Sequence, residues 1–505
     1  MIAPTPRSYG AALGSHFNQQ RFRKIEMQTA STTLGVILGN RDFFPDVLIT
    51  EARRDLTKLF AELSIEPVWL TPHDSKLGAV ETWSDAQRCG ELFRRNRERL
   101  DGILVCLPNF GDEKGVADSI RLADARIPIL VQACPDDLDQ FGLDRRRDAF
   151  CGKISVCNNL RQYGLRYTLT RDHTVAISDP RFREDLARFV QTCRVVRGLS
   201  RLRIGAVGAR PNAFNTTRFS EKLLEATGIS VNTIDLSEVF GEASKIESGD
   251  PRVCERVEQI RSYADATSAP DEAILRMAKF ALVVDDWMHS LSITATAIQC
   301  WSSLQKNFGV NVCTIMSMMS EQMLPSACEV DIAGVVGMYA LQLAGGRPSA
   351  LVDWNNNYGG DPEKCVFFHC GNWAKDFLPD IRIGTAPILG TVLGEANTVG
   401  ALEGRTPAGP VTFGRVSTDD TSGKIRAYVG EGEFTDDPLK TFGTRAVVKV
   451  AGLPSLMHTI CQNGFEHHAA MNASHCAAAV AEGLSRYLGW ETYHHNRPAD
   501  LPPIS

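Results

Sequence analysis

The stretch TTLGVILGNRDFFPDVLITEARRDLTKLFAELSIEPVWL, residues 32–70, decides the fold class. It contains an apolar run (TTLGVILGN), a helix-length segment (VLITEARRDLTKLFAELS) and a second apolar run (PVWL). Strand-like runs separated by helix-length segments are typical of βαβ units, which build parallel sheets. The alternation continues through a charged helical stretch that ends in NRERL and through the runs GILVCLP and IPILVQA. We therefore predict a doubly wound α/β domain over residues 1–150, whose first thirty or so residues form a flexible arm.

The rest of the chain predicts two further domains. A protein of 505 residues exceeds the size at which single cores stop growing, so domains of roughly 150 residues each are expected. A second doubly wound α/β domain over residues 151–375 is indicated by the strand-like segments RLRIGAVGAR, VNTIDL, KFALVVDDW and NVCTIMSMM.

The sequence pattern changes over residues 376–505. The segments GTAPILGTVLG, GPVTFGRVST, GKIRAYVGEGEF and RAVVKVAG are short, glycine-punctuated and rich in β-formers. They predict a β-rich, barrel-like domain. The segment HHAAMNASHCAAAVAEGLSRYLG has helical periodicity and predicts a terminal helix.

Composition excludes several function classes. The formal charge of -6 gives no basic footprint, so we expect no nucleic-acid partner. The sequence contains no continuous apolar run long enough to cross a bilayer and no secretory signal, so we expect no membrane association. The 14 cysteines are scattered without a CxxC pair, which favours reduced thiols and a cytoplasmic location.

Asp353 is the first candidate site residue. In ALVDWNNNYGG, residues 350–360, an apolar run ends in this acid and is followed by three asparagines and a tyrosine. An apolar run bounded by turn formers predicts a buried strand, with Asp353 at its carboxyl end. Ligands bind at that edge of open α/β sheets. The alternative is a polar turn in which the asparagines only cap backbone groups.

Glu329 and Asp331 precede a predicted apolar helix in ACEVDIAGVVGMYALQLAGG. The alternative to a functional role is that both acids complement the positive end of the helix dipole.

Histidines provide further candidates. The stretch GFEHHAAMNASHC places His467 and His468 at a predicted helix start, with His475 seven residues after His468. Adjacent helical residues diverge by about 100°, so only one of the first two would face a given site. His369 ends the strand-like run KCVFFHCGN, and Cys370 beside it is expected to be a packing residue. Two carboxylates and an imidazole would suit an octahedral cation such as Mn²⁺.

Four segments together resemble the L-fucose/L-arabinose isomerase superfamily, especially L-fucose isomerase-like proteins. They are CGKISVCNNLRQYG, CEVDIAGVVGMYALQL, VDWNNNYGGDPEKCVFFHCGN and GFEHHAAMNASH. The resemblance implies two α/β domains and a β-rich C-terminal domain, with metal-dependent aldose–ketose isomerase activity through an enediol. It also implies a homo-oligomer, a trimer or a hexamer, in which one subunit's N-terminal domain covers a neighbour's site.

The resemblance also implies roles for individual residues. Glu329, Asp353 and His468 match the ligands of Mn²⁺ or another divalent cation, and the two acids match the catalytic carboxylates. His369 falls where arabinose isomerases place a further histidine ligand, and we expect it to bind either metal or sugar. The remaining expected sugar contacts are Asn355, Asn357 and Tyr358.

The expected substrate is a free monosaccharide such as L-fucose, D-arabinose or L-arabinose, or a six-carbon sugar with an acidic substituent at carbon six. Arg161 and Arg210 are candidates to receive such an anion. Two other functions remain open from the residues: a non-catalytic sugar-binding protein, and a metal-dependent hydrolase of a sugar derivative that uses the same ligands to activate water.

Overall fold

The computed structural model describes residues 32–502. The predicted N-terminal arm lies outside the described residues. Among the described helices, none combines the length and apolar character needed to cross a membrane.

The first unit is a parallel sheet alternating with helices. Its strands are β1 (Thr32–Leu38), β2 (Ile65–Val68), β3 (Gly102–Leu107), β4 (Ile129–Ala133) and β5 (Thr168–Leu169), in the order β2-β1-β3-β4-β5. Its helices are α1 (Val47–Leu63), α2 (Trp83–Asn96), α3 (Glu113–Ala123) and α4 (Ala149–Gln162), and α5 (Pro180–Leu199) leads into the next unit. Every residue of β1, β3 and β4 is buried, as expected for strands covered on both faces. The predicted doubly wound fold is confirmed.

The second unit is a smaller parallel sheet. Its strands are β6 (Arg203–Val207), β7 (Ser230–Ile234), β8 (Ala295–Ile298) and β9 (Ser326–Cys328), in the order β7-β6-β8-β9. Its helices are α6 (Glu221–Glu225), α7 (Leu236–Lys245), α8 (Pro251–Tyr263), α9 (Asp271–Leu291), α10 (Cys313–Glu321) and α11 (Ile332–Gly345). Two strand predictions are wrong here, because KFALVVDDW lies in α9 and most of NVCTIMSMM lies in α10. Both segments are buried on most sides, and a short apolar run does not distinguish a strand from a buried helix.

The third unit is a mixed sheet of nine strands. They are β10 (Ser349–Tyr358), β11 (Asp361–His369), β12 (Arg382–Gly384), β13 (Ala401–Arg405), β14 (Gly409–Asp419), β15 (Lys424–Thr435), β16 (Thr444–Lys449), β17 (His468–Asn472) and β18 (Glu491–His494). Its helices are α12 (Pro387–Leu393), α13 (Leu453–Gln462) and α14 (Ala477–Glu482). Strands β16, β11, β10, β17, β14 and β15 pair in succession, and β15 pairs back to β16. This closed antiparallel ring confirms the barrel-like prediction.

Two local predictions in this unit are wrong. Asp353 does not end its strand, because β10 continues to Tyr358 and turns back into β11 as an antiparallel hairpin. His468 does not start a helix but begins β17, and the terminal helix α14 starts only at Ala477. Alanine-rich content gave a helical appearance to a segment that tertiary pairing with β10 and β14 holds as a strand.

The barrel and the second unit share a core. Helix α11 packs against β14 and β17, and one buried cluster combines Val335 and Met338 of this helix with Leu351, Val416 and Ala470 of the barrel. Strands β10 and β11, placed before residue 375 by the predicted domain boundary, are hydrogen-bonded into the barrel. The predicted domain limits stay a prediction, but this shared core fixes the second sheet against the barrel.

Candidate active site

Four predicted side chains converge where the second sheet meets the barrel. Glu329 directly follows β9, Asp353 lies within β10, His369 ends β11 and His468 begins β17. Asp353 and His468 are direct partners in the β10–β17 ladder. Glu329 is brought to them because the loop after β9 points at the barrel. The residues therefore come from two sheets, and His468 lies far along the chain from the other three.

The distances from His468 to the two carboxylates match the spacing of adjacent ligands around one cation. His468 Nε2 lies 3.1 Å from Glu329 Oε2 and 3.4 Å from Asp353 Oδ1. Adjacent ligand atoms of an octahedral ion, each about 2.1 Å from the metal, are about 3 Å apart. Glu329 Oε2 is buried and has no hydrogen-bond partner. A buried carboxylate oxygen without a donor is costly unless a cation satisfies it, so these residues fit a divalent metal ion.

Asp331 orients the His468 ring from behind. His468 Nδ1 lies 2.8 Å from Asp331 Oδ2 and donates its proton to it, which leaves the Nε2 lone pair facing Glu329 and Asp353. Such a carboxylate contact on the far ring nitrogen is the usual support of a metal-binding histidine. Asp331 also accepts the Gly334 N–H at 2.8 Å and so caps α11. The helix-capping alternative therefore describes Asp331, which additionally holds His468.

Arg415 neutralises Asp331 inside the protein. Its guanidinium is fully buried and donates to both carboxylate oxygens of Asp331 and, at 3.1 Å, to Glu466. Burial would raise the pKa of Asp331, but Arg415 and His468 hold it well below its ordinary value. Burial would likewise lower the pKa of His468, but the Asp331 and Glu329 carboxylates raise it to about 9. The ring thus sits in a strongly negative environment.

His369 is arranged as a hydrogen-bond donor. Its Nδ1 accepts the backbone N–H of Cys370 at 3.0 Å, so the neutral ring carries its proton on Nε2. That atom is buried without a partner and lies 4.0 Å from Glu329 Oε2. A proton on Nε2 favours contact with a substrate oxygen over coordination of a cation.

The two carboxylates respond differently to burial. Burial raises the pKa of Asp353 above its ordinary value. Burial would also raise the pKa of Glu329, but the neighbouring His468 and His369 lower it. Two acids with pKa values pushed apart in one site are an arrangement that acid–base catalysis uses.

Aromatic rings surround these polar groups. Trp301 Nε1 donates to Glu329 Oε1 at 3.0 Å, and the Phe214 ring packs against Trp301, His467 and His468. Phe214 belongs to the loop after β6, and Trp301 to the loop after β8. In the strand order β7-β6-β8-β9, the chain goes from β6 to β7 on one side and then continues with β8 and β9 on the other side of β6. The crevice between β6 and β8 is therefore the switch point where open α/β sheets bind ligands.

The backbone at Glu329 is held in an uncommon conformation. Glu329 and Val330 have φ of 60° and 56°, in the left-handed region that residues other than glycine seldom adopt. Such strain persists only where surrounding contacts determine it, and it concentrates at functional sites.

The other candidate residues lie at the margin of this group or beyond it. Asn355, Asn357 and Tyr358 continue β10 away from Asp353 on the exposed hairpin, where Tyr358 Oη donates to Pro438 O at 2.9 Å. The structure does not bring them together with Glu329. His475 is exposed, and its Nε2 lies 3.4 Å from Gly432 O. His467 is half-exposed and flanks Asp353, with 3.6 Å between Nε2 and Oδ1.

Sequence reasoning missed the supporting residues. Arg415, Glu466, Trp301 and Phe214 carry no local motif, since each reaches the site only through the tertiary fold. Asp331 could have been found, because an acid two residues after a candidate ligand is within reach of the same site.

Comparisons with known proteins identify related families. The family described as fucose/sulfoquinovose isomerase, N-terminal domain, matches residues 35–200, and the family described as L-fucose isomerase, C-terminal domain, matches residues 367–495. A sulfoquinovose isomerase of Priestia aryabhattai is 29% identical over 470 residues, covering 92% of this chain and 98% of that protein. A sulfoquinovose isomerase of Clostridium sp. (strain MSTE9) is 26% identical over 336 residues, or 64% of this chain and 71% of that protein. Another, of Alkalicoccus urumqiensis, is 27% identical over 291 residues, or 57% and 64%.

The geometry predicts which substitutions weaken binding of a divalent cation. We expect His468→Gln to abolish Mn²⁺ binding, and Asp331→Asn to weaken it about 10–100-fold because the ring loses its orienting carboxylate. His369→Gln should leave affinity almost unchanged. Titration calorimetry with Mn²⁺ measures all three, with Glu466→Gln as the control because Glu466 contacts Arg415 and not His468. Loss of affinity in His369→Gln alone would contradict the donor arrangement.

Proposed function

Because this chain belongs to the fucose/sulfoquinovose isomerase family, whose members interconvert aldoses and ketoses, we propose that it isomerises a six-carbon sugar bearing an acidic substituent at carbon six, such as sulfoquinovose. The observation that carries the proposal is the convergence of Glu329, Asp353 and His468, whose carboxylate oxygens lie within 3.4 Å of one imidazole nitrogen. The curated relatives named above are sulfoquinovose isomerases, and one of them aligns over nearly its whole length.

We further propose that Glu329, Asp353 and His468 hold Mn²⁺ or another octahedral divalent cation. A set of two carboxylates and one imidazole favours such hard ions over thiolate-seeking ones. When bound, the cation supplies Lewis acidity that stabilises negative charge on a substrate oxygen, a contribution of several kcal/mol.

The side chains of this site would divide the proton transfer between them. Isomerisation removes a proton from the carbon that bears a hydroxyl and returns one to the former carbonyl carbon, through an enediol. Glu329 and Asp353 are the two carboxylates placed to take up and return that proton, a role typically worth 10²–10⁴-fold. The Nε2–H of His369 would donate to a sugar oxygen. Trp301 and Phe214 would keep water from the reacting carbons.

The two alternative functions are less well supported. A sugar receptor needs no convergent set of buried ligands, and the family matches are to isomerases. A hydrolase would change the mass of its substrate, whereas isomerisation does not.

We expect Glu329→Gln to reduce conversion of sulfoquinovose to its ketose by at least about 10³-fold, because the variant removes both a ligand and a proton acceptor. The fold should be retained, because the glutamine side chain can still accept a hydrogen bond from Trp301. Chelation with EDTA should also abolish turnover, and Mn²⁺ should restore it. Proton NMR of the sugar measures conversion, and circular dichroism checks the fold. Full activity in the variant, or in the chelated enzyme, would remove the proposed chemistry.

Recognition of the acidic substituent is proposed to involve the loop of residues 208–218. This loop places Phe214 on the site, and its Arg210 donates only to acceptors of the loop, namely Pro211 O, Asn212 O and Asn215 Oδ1. A guanidinium with uncharged partners can receive an anion. Arg161 lies exposed on α4 of the first unit and has no comparable link to Glu329.

This placement predicts a selective effect on the charged sugar. Arg210→Ala should raise the KM for sulfoquinovose about 10-fold or more, through loss of a charge-assisted hydrogen bond, and should leave any activity on L-fucose little changed. Arg161→Ala is the matched control. Initial rates with both sugars decide the matter. Equal losses on both sugars in Arg210→Ala would show that the loop acts on the site as a whole.

We propose that the protein is a homo-oligomer in which copies meet through the first unit. Among the exposed large apolar side chains of this unit, six lie in loops at the carboxyl edge of its sheet or at the start of α4: Phe43, Leu138, Phe141, Leu143, Phe150 and Ile154. Several exposed apolar side chains at one edge favour burial against another chain. The trimeric or hexameric state implied by the family resemblance would supply that second copy.

Replacing Leu138 and Leu143, each 90% exposed, with serine should shift the protein toward smaller species without unfolding it. Light scattering coupled to gel filtration measures the mass of the wild type and of the variant. Val392→Ser, in which an exposed apolar residue of α12 is removed, is the control. A monomeric wild type would contradict the proposal.

We propose that the protein is located in the cytoplasm. All 14 cysteines are free thiols, which supports a reducing compartment.

A further inference from the structure

Four cysteine thiols meet beside the candidate active site. Cys300 follows β8, Cys313 opens α10, Cys328 ends β9 and Cys370 follows β11. None of them is close to another in the sequence, and for Cys370 the sequence predicted only a packing role. Their meeting is therefore a property of the fold.

The geometry is that of a ligand set. One sulfur from each of Cys313, Cys328 and Cys370 lies within 4.8 Å of the other two. The Cys300 thiol lies outside this group of three and interacts with the thiols of Cys328 and Cys370. Cys300, Cys313 and Cys328 are buried, and Cys370 is partly exposed. The thioether of Met316 lies 4.0 Å from Cys328 Sγ and adds a fifth sulfur.

The thiol cluster differs from the other buried cysteines of the barrel. The other buried cysteines of the barrel stand singly: the Cys365 thiol contacts Val448 O, and the Cys476 thiol contacts Leu341 O. By contrast, thiols of the cluster have one another as polar neighbours. Four sulfur ligands about 2.3 Å from one zinc ion would be separated by about 3.8 Å, so the sulfurs need only small side-chain movements to close on a metal.

We propose that Cys313, Cys328 and Cys370, with Cys300 as the fourth ligand, form a second metal site that binds Zn²⁺. Thiolates select soft or borderline cations and are poor ligands for Mn²⁺, so the two sites take different ions. The position is enclosed and protein-lined, as structural zinc sites are. A divalent ion also compensates buried thiolate charge better than a monovalent ion such as Cu⁺.

The position of this site indicates a structural role for the bound metal. Cys328 immediately precedes Glu329, and Cys370 immediately follows His369. Cys328 belongs to the second sheet and Cys370 to the barrel, so a zinc ion would cross-link the two units whose contact assembles the candidate active site. It would thereby position Glu329 and His369 without touching substrate.

Metal analysis of the purified protein tests the proposal directly. After growth with zinc, purification with a phosphine reductant and brief EDTA treatment, we expect about one Zn²⁺ per chain, since structural sites hold zinc tightly. The triple variant C313S/C328S/C370S should lose it. The double variant C365S/C476S, which removes the same type of buried thiol outside the cluster, should retain it. Elemental analysis does not depend on isomerase activity, so its result stands apart from the proposed function.

A measurement on the wild type keeps the test decisive if the triple variant fails to fold. Zinc-free protein titrated with Co²⁺ should develop the sulfur-to-cobalt charge-transfer absorption of thiolate ligands, and Zn²⁺ should abolish it. The carboxylate–histidine site cannot give that band, because it has no sulfur. Zinc should also protect the four cysteines from alkylation, as read by mass spectrometry. Wild-type protein that holds no zinc and shows no such band would overturn the proposal, as would a disulfide between cluster cysteines in the fully reduced preparation.

Discussion

Like charges confined to one buried volume are the constraint on which this structure depends. Glu329, Asp331 and Asp353 all approach the imidazole of His468, and burial of unpaired carboxylates costs several kcal/mol each. Of these three acids, Arg415 pairs only with Asp331, and both side chains of that pair have 0% exposure. The negative charge of Glu329 and Asp353 has no such arginine partner. A bound divalent cation is the simplest way to compensate it.

The fold supplies this constraint through contacts that are distant along the chain. Asp353 and His468 face the same way because they are direct partners in the β10–β17 ladder, and a slip of one residue would turn either side chain to the opposite face. Glu329 is oriented by a left-handed backbone conformation after β9. The core that α11 shares with the barrel fixes Glu329 relative to the Asp353–His468 pair. Metal ligands need such rigid support, because an error of about 1 Å spoils the geometry.

The sequence predicted the fold class well and the site only in part, for physical reasons. Alternating apolar runs such as β1 and β3 reveal parallel strands, since both faces are buried. The same signal misled at α9 and α10, where helices are buried on most sides, and at Asp353, where an antiparallel strand runs on through three asparagines. Glu329, Asp353 and His468 were found through their resemblance to a family. Arg415 and Phe214 were not, because no local pattern marks a residue that acts only after the barrel closes.

The thiol cluster and the carboxylate site lie next to each other and share two short pieces of backbone. Glu329 and His369 face the hard ligand set, while the residues next to them, Cys328 and Cys370, face the soft one. Because neighbouring residues of one short piece of backbone point to different sides here, that piece can serve two sites of opposite preference. Because oxygen-rich and sulfur-rich ligand sets favour different ions, this arrangement would keep a structural metal from occupying the catalytic position. The zinc ion would also make the junction between the second sheet and the barrel more rigid, and so hold Glu329 and His369 in place.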